Sequence, residues 1–457
     1  MPLFAPETEW VAPDELKDLS GYKEVAIDLE TCDPELTTLG SGNVIGRGHI
    51  AGVAVAVEGW SGYYPIGHEG GGNMDKKLVL QWVQDLVNQE KATFIFHNAM
   101  YDVCWLRQAG IKIRGKIVDT MIAASLIDEN RMSYALNTLA KHYVGIGKDE
   151  KVLQEAAKSY SVNAKSEMYK LPAMYVGEYA ERDAEATLKL WQRLIVELHN
   201  QELMDVFNLE TKLFPCLVDM RFKGVRVDLE HAAKLKKNLM AREAKILSKI
   251  KELTGIHVEI HAARSIAKAF DKLKLPYDRT EKSNEPSFTK NFLQNHPHEL
   301  ARSIADAREI NKAHTTFIDS ITKHSAKGRI HADINQIRSD QGGTVTGRFS
   351  MSNPNLQQIP ARHPEIGPMI RSIFIPEENT TWGSFDYSQQ EPRILVHYAK
   401  LQNLDGVDEI VDAYNAGDAD FHQVVADMAG IERKQAKTIN LGLMYGMGKN
   451  KLMSELG

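Results

Sequence analysis

Strand-type runs alternate with helix-period runs through the first 200 residues, and that order commits this part of the chain to an α/β layer fold. Residues 24–27 form a short β-favouring run that delivers Asp28 and Glu30. After a Gly-rich loop at 40–48, residues 50–57 read as the neighbouring strand of one sheet. Residues 78–87 place apolar side chains at helical spacing, 93–96 read as a strand, and the next helix starts near Asn98 and carries Asp102. The last helix of this domain is expected over 176–200, with Tyr179 and Asp183 one turn apart on one face.

Farther along, residues 202–219 open a helical region that closes on a turn at Gly224, and Asp228 is placed to cap a long Lys-rich helix over 229–254. Residues 276–286 are polar and turn-forming, and 300–321 return to helix. Residues 329–335 alternate like a half-buried strand, whereas 342–360 are too rich in Gly, Thr, Ser, Asn and Pro to be core. Residues 382–385 are again strand-like, and 387–400 lead into a helix. The expected division is 1–200, 201–327, 328–404 and 405–457.

A chain of 457 residues has room for two to four domains. With 25% charged and 43% apolar residues it reads as soluble and globular, not disordered or fibrous. A net charge of −6 decides little, because a basic cleft can sit in an acidic exterior. Cys32, Cys104 and Cys216 stand far apart without a Cys-x-x-Cys, which supports neither a zinc site nor a disulfide framework and fits a reducing compartment. No basic leader and no apolar run of transmembrane length appears, so a cytoplasmic protein without a membrane partner is expected.

Carboxylates carry the first chemical signal. Asp28 and Glu30, two apart on one strand, point to the same face and can share a cation, while Leu29 faces the core; a solvated acidic strand would look the same. Asp102 and Asp183, each on a helix, could supply the further oxygens that Mg²⁺ or Mn²⁺ needs. Two such ions could activate a water and stabilise the leaving 3′-oxygen of a phosphodiester. Tyr179 could hold the attacking water by its hydroxyl. Asn98 reads as a helix cap or as a residue that supports the acids from behind, and Asp119 as a runner-up acid with a structural part.

Together, Asp28-Leu29-Glu30, His97-Asn98-Ala99-Met100-Tyr101-Asp102 and Tyr179-Ala180-Glu181-Arg182-Asp183 resemble the three motifs of the proofreading 3′→5′ exonuclease domain of the DnaQ-like superfamily. The resemblance implies a ribonuclease H-like fold acting on a single-stranded 3′ end. Downstream, Asp386-Tyr387-Ser388-Gln389-Gln390-Glu391-Pro392-Arg393 resembles motif A of a family A DNA polymerase. That likeness implies two metal ions bound by Asp386 and the Tyr387 carbonyl, with Glu391 as a steric gate against ribonucleotides. Gln390 and Pro392 depart from the family's usual aliphatic residue and Leu. The run Arg433 to Gly446 resembles motif B, and Arg433, Lys437, Leu441 and Tyr445 fall on one helical stripe. The resemblance gives Arg433, Lys437 and His422 to the incoming deoxynucleoside triphosphate, and Leu441 and Tyr445 to its sugar, base and templating pocket. Leu441 stands where the family usually has Phe or Tyr, so altered sugar discrimination is expected.

Thr344-Val345-Thr346-Gly347-Arg348-Phe349-Ser350 and Asn353-Pro354-Asn355-Leu356-Gln357-Gln358-Ile359-Pro360 look like the family's primer-template segment. Arg348 could reach minor-groove acceptors present at every correct pair. Asn355 and Gln357 offer amides, and Arg362 and Arg371 could contact the backbone or phosphates. The Lys-rich helix resembles the thumb, although a solvated helix face would explain its lysines equally. The architecture expected is thus an α/β multidomain chain: an exonuclease domain, a helical thumb, and an incomplete palm and fingers of a right-hand polymerase.

The family's motif C carboxylate follows motif B and is not found before Gly457. Synthesis is therefore expected to need a missing C-terminal part, through truncation of a longer polymerase or as a second polypeptide carrying palm and motif C. A stand-alone 3′→5′ exonuclease and an inert DNA-binding scaffold are the alternatives. The short stretch before Asp28 leaves no room for a 5′-nuclease domain, which leans toward a bacteriophage replicative enzyme.

Overall fold

The computed structural model describes residues 5–147, 149–340, 342–361, 363–417 and 420–456. Its first sheet comprises β1 (Glu24–Cys32), β2 (His49–Val57), β3 (Trp60–Pro65), β4 (Thr93–Phe96) and β5 (Lys116–Asp119), in the order β3-β2-β1-β4-β5. The helices around it are α1 (Leu36–Leu39), α2 (Lys76–Val87), α3 (Ala99–Gln108), α4 (Thr120–Ile127), α5 (Leu136–Val144), α6 (Lys151–Tyr160) and α7 (Gly177–Asn200). β1 runs antiparallel to β2 and parallel to β4. The period of two along β1 splits its side chains between two cores. Val25, Ile27 and Leu29 enter the core that includes residues of α2 and α3. Ala26 enters the opposite core, built with α4, α5 and α7, and Asp28 and Glu30 continue that face.

Two strands of this sheet, β3 and β5, lie outside the sequence expectation. β3 follows β2 across the two-residue turn Glu58-Gly59, and Gly59 has φ +79°, which a tight hairpin requires. β1 also extends past Ile27 through both carboxylates to Cys32.

The next stretch is mostly helical: α8 (Met204–Lys223), β6 (Val225–Arg226), α9 (Leu229–Thr254), α10 (Ala263–Lys272), the short strands β7 (Asp278–Arg279) and β8 (Pro286–Ser287), α11 (Lys290–Asn295) and α12 (Glu299–Lys312). The Asp228 side chain accepts from His231 N at 2.8 Å and so caps α9, which ends on Gly255 at φ +67°. The helix expected over 300–321 is α12, a π-turn at Ala313–Ile318 and α13 (Asp319–Lys323).

The strand expected at 329–335 is two strands in different sheets. After β9 (Ser325–Ala326), β10 (Arg329–Ile330) pairs with β6 and β9, whereas β11 (Asp333–Asn335) pairs with β12 (Ser350–Ser352). The break falls at His331, whose ring Nδ1 bonds the Arg221 carbonyl at 2.8 Å. α14 (Ile366–Arg371) follows.

The chain packs as one unit up to Glu378 and another from Asn379 onward. The second contains α15 (Gln390–Leu401), α16 (Val407–Ala416), α17 (Phe421–Ala429), α18 (Arg433–Met444) and α19 (Lys449–Leu456) around a small core of Val396, Val407 and Tyr414. Residues 382–385 are irregular, not a strand; Phe385 is 98% exposed, and no strand among the described residues pairs with them. Among the described residues no helix is long and apolar enough to cross a membrane.

Candidate functional site

β1 outruns β4. Their pairing covers Glu24–Ala26 against Thr93–Ile95, and beyond it Leu29 N donates to Asp102 Oδ1 at 3.0 Å, so the α3 carboxylate docks on the strand edge that β4 leaves. On the other edge Asp28 and Glu30 stand opposite Ala54 and Gly52 of β2. A Cβ on Gly52 would lie 2.1 Å from the Tyr63 hydroxyl, so only glycine lets that ring lie across the strand.

α7 lies over this face. The Tyr179 hydroxyl is held protonated by burial and, after it, by the charges of Glu30, Asp183 and Asp28. Burial and the Asp28 charge drive the Asp102 carboxyl far above the usual carboxylate range. Asp102 and Asp183 are only 4% and 8% exposed. Among the described residues no three His, Cys, Asp or Glu side chains close on one point as a ready metal cage. The donor set nevertheless suits a hard divalent cation: every donor is a carboxylate oxygen, and two of the four, Asp102 and Asp183, are buried.

Asp119 joins two helices. It accepts from the backbone N–H groups of Asn98 (3.0 Å), Ala99 (2.8 Å) and Met121 (2.8 Å), capping α3 and α4 together. Burial outweighs these bonds and pushes its carboxyl up to about 6. Asn98 sits at the α3 N-cap with φ +65° but makes no side-chain cap there; Asp119 does that from outside the helix.

In the 344–360 segment, much of the polar chemistry is spent on the loop itself. Asn355 caps a short turn by accepting from Gln357 N at 3.0 Å, and Gln357 Nε2 donates to the Phe349 carbonyl at 3.0 Å. Arg371 Nε donates to the Pro360 carbonyl at 3.1 Å. Arg348 is exposed, and Arg362 lies outside the described residues. On α9, Lys234, Lys237, Arg242 and Lys245 line one basic depression.

In the second unit Asp386 and Tyr387 occupy the exposed stretch before α15, and half-buried Glu391 lies in that helix's first turn. Pro392 also falls in the first turn, where its missing N–H costs little. Arg433 Nε donates to Asp420 Oδ2 at 2.7 Å. His422 is buried and its Nδ1 accepts from Asn440 Nδ2 at 3.2 Å. Lys437 is exposed and Leu441 half-buried on α18; Tyr445, two-thirds exposed, is the C-cap of that helix.

Residues 229–457 match the model of DNA polymerase family A, and residues 7–199 that of a 3′-5′ exonuclease. A DNA-directed DNA polymerase of Pseudomonas phage M6 is 38% identical, over 100% of this chain and 72% of its own length. The chain belongs to DNA polymerase family A. This family A polymerase is also 32% identical to a DNA polymerase DpoZ of Salmonella phage PMBT28, covering 96% of this chain and 72% of that protein. It is 29% identical to DNA polymerase I of Pseudomonas aeruginosa, covering 97% of this chain but 48% of the relative, so it spans about half of the bacterial enzyme. In fold it is similar to the POL domain of Pol1 from M. smegmatis, solved in complex with DNA primer-template and dNTP, with TM-score 0.72, 21% identity, and coverage of 96% and 70%.

Polymerases and exonucleases of these families work with divalent metal ions. None of the comparisons points to a second polypeptide. Sequence reading of this family A polymerase missed Arg221 and Asp333. Arg221 continues the buried stripe Phe214–Leu217–Val218 of α8, and a cation on an apolar stripe was the available signal.

Proposed function

We propose that this chain is the proofreading and primer-template-binding part of a replicative, phage-type DNA polymerase acting in the cytoplasm, with residues 1–200 trimming single-stranded or frayed 3′ ends. What supports this reading is that Asp102 docks on the strand that carries Asp28 and Glu30, and that the charges of Glu30, Asp183 and Asp28 all act on the buried Tyr179 hydroxyl. These four carboxylates would hold two Mg²⁺ or Mn²⁺ ions, which when bound supply an activated water and a stabilised leaving oxygen. Tyr179, kept protonated, donates to and orients that water. The buried side of β1 and α3 excludes bulk solvent from it.

For synthesis the same reading assigns 201–327 to the thumb, 328–404 to the palm and 405–457 to the fingers. Asp386 and the Tyr387 carbonyl would hold metal, and Glu391 would screen the sugar. Lys437 and Arg433 would neutralise the triphosphate of a dNTP, which must compete with Asp420 for the Arg433 guanidinium; His422 reaches it only by leaving Asn440. Leu441 and Tyr445 would bound the nucleotide pocket. Arg348, Asn355, Gln357, Arg371 and Arg362 would engage primer-template DNA.

A 5′-labelled primer-template tests the reading. With Mg²⁺ and no dNTP the label should move to shorter products, and Asp28→Ala should abolish this with folding intact. Wild-type rates in the Asp28→Ala protein would remove the site. The second reading, an exonuclease without synthesis, is favoured if no extension appears when dNTPs are added.

A further inference from the structure

A buried ion pair unused by the chemistry above lies between the exonuclease-matching part and the 353–360 segment. Arg221 of α8 pairs through Nη2 with Asp333 of β11, their side chains 3% and 22% exposed. Its Nη1 also meets the Cys104 sulfur at 3.9 Å, and its Nε is buried without a hydrogen-bond partner among the described residues. Burying charges this way is a poor route to stability, because desolvation offsets most of the attraction, and fixing a register is the best-attested use of such a pair.

Asp333 has two further neighbours. Its Oδ2 accepts from Asn353 Nδ2 at 2.9 Å, and Asn353 opens the 353–360 segment. A Cβ on Gly40, in the loop after β1, would lie 2.6 Å from that Oδ2 and 2.9 Å from the Asn353 Cβ, so the exonuclease-side loop closes directly onto this junction. The loop is tied back in turn: Asp33 accepts from Gly42 N at 3.1 Å and from the Tyr101 hydroxyl at 3.2 Å, and that hydroxyl shares a 2.6 Å bond with Thr31. Thr31 and Tyr101 are the chain neighbours of Glu30 and Asp102. Beyond β11, Tyr134 N donates to Asp340 Oδ1 at 2.7 Å and Ser125 Oγ to the Arg338 carbonyl at 2.9 Å, fastening the same hairpin to the exonuclease domain.

We propose that Asp333 is a positioning residue: through Arg221 on one oxygen and Asn353 on the other, it sets the primer-template segment in fixed register to the strand and helix that carry Glu30 and Asp102. Duplex engagement and 3′-end trimming then act on one rigid frame. The inference rests on the functional reading above, so the test separates binding from cleavage.

Fluorescence anisotropy in EDTA measures affinity for a labelled primer-template and for a single strand of the same sequence, and Mg²⁺-dependent shortening is followed on both. Asp333→Asn should weaken primer-template binding about fivefold while single-strand binding and shortening stay within about twofold. Arg221→Lys, which keeps the charge, should fall between wild type and Asp333→Asn. Gly40→Ala, which strains the turn at φ +84° as well as pressing on the same oxygen, leaves the charge unchanged and should reproduce the selective loss, even if Asp333→Asn fails to fold. Equal weakening on both DNAs, or unchanged primer-template affinity in the folded variants, overturns the proposal. A wild-type protein that shortens neither DNA would sink the exonuclease reading, and the binding ratio would still decide this one.

Discussion

Tyr179 shows how much one hydroxyl can depend on its surroundings. Burial keeps its proton in place, and the negative charges of Glu30, Asp183 and Asp28 act in the same direction. Tyr179→Phe should therefore slow single-turnover 3′ trimming about 10- to 100-fold without weakening DNA binding; an unchanged rate would remove the water-orienting role. Asp28, Glu30, Tyr179 and Asp183 were legible because their spacings, i and i+2 on a strand and i and i+4 on a helix, fix a common face before any tertiary contact is known. The pairing of Arg221 was not legible, since its partner Asp333 lies 112 positions away. Asn355 and Gln357 were read as offering amides to DNA; the turn-rich loop also needs internal partners and uses one atom of each, Asn355 Oδ1 and Gln357 Nε2.

Elements were readable where one periodicity ran long enough. α9, with its capping Asp228, was visible from sequence, and so was α7. β5 is four residues long and buried by neighbours rather than by its own pattern. The 382–385 run has strand-forming residues but no pairing strand among the described residues, and β propensity without a partner leaves the backbone open to water.

Asp119 makes two elements depend on one side chain. Asp119→Ala should cost about 1–3 kcal/mol, read by urea unfolding, because several helix-end N–H groups lose their acceptor. His68 adds a pH dependence at the same scale. Its Nδ1 faces the Leu171 carbonyl at 3.0 Å and its Nε2 the Tyr63 hydroxyl at 2.6 Å, and burial pulls its pKa down to about 4. A folded value below the unfolded value of about 6.5 means that the neutral ring's contribution is complete above pH ~6.5 and is lost as pH falls toward 4. The stability gap between wild type and His68→Gln should thus shrink by roughly 3 kcal/mol over that window, and a gap that stays constant would show that the ring is not held neutral.

At the scale of the molecule, the basic depression on α9 gives the 229–254 helix its simplest test. If Lys234, Lys237 and Lys245 meet DNA phosphates, replacing all three by alanine should flatten the slope of log affinity against log salt by about 0.9 for each contact removed. An unchanged slope would mark the lysines as a solvated face. Domain order was legible from the order of motifs, but the packing boundary after Glu378 was not, because it falls inside the expected 328–404 segment and reflects contacts between distant residues.

The two-sidedness of β1 also gives its tolerance to insertion an odd-even rule. One residue added between Ile27 and Asp28 would turn the carboxylates toward the apolar core and Leu29 toward α7, whereas two added residues would restore the facing at the cost of a shift along the strand. Trimming should vanish in the first variant and return in part in the second, so the count of inserted residues, more than their chemistry, would govern survival of the activity.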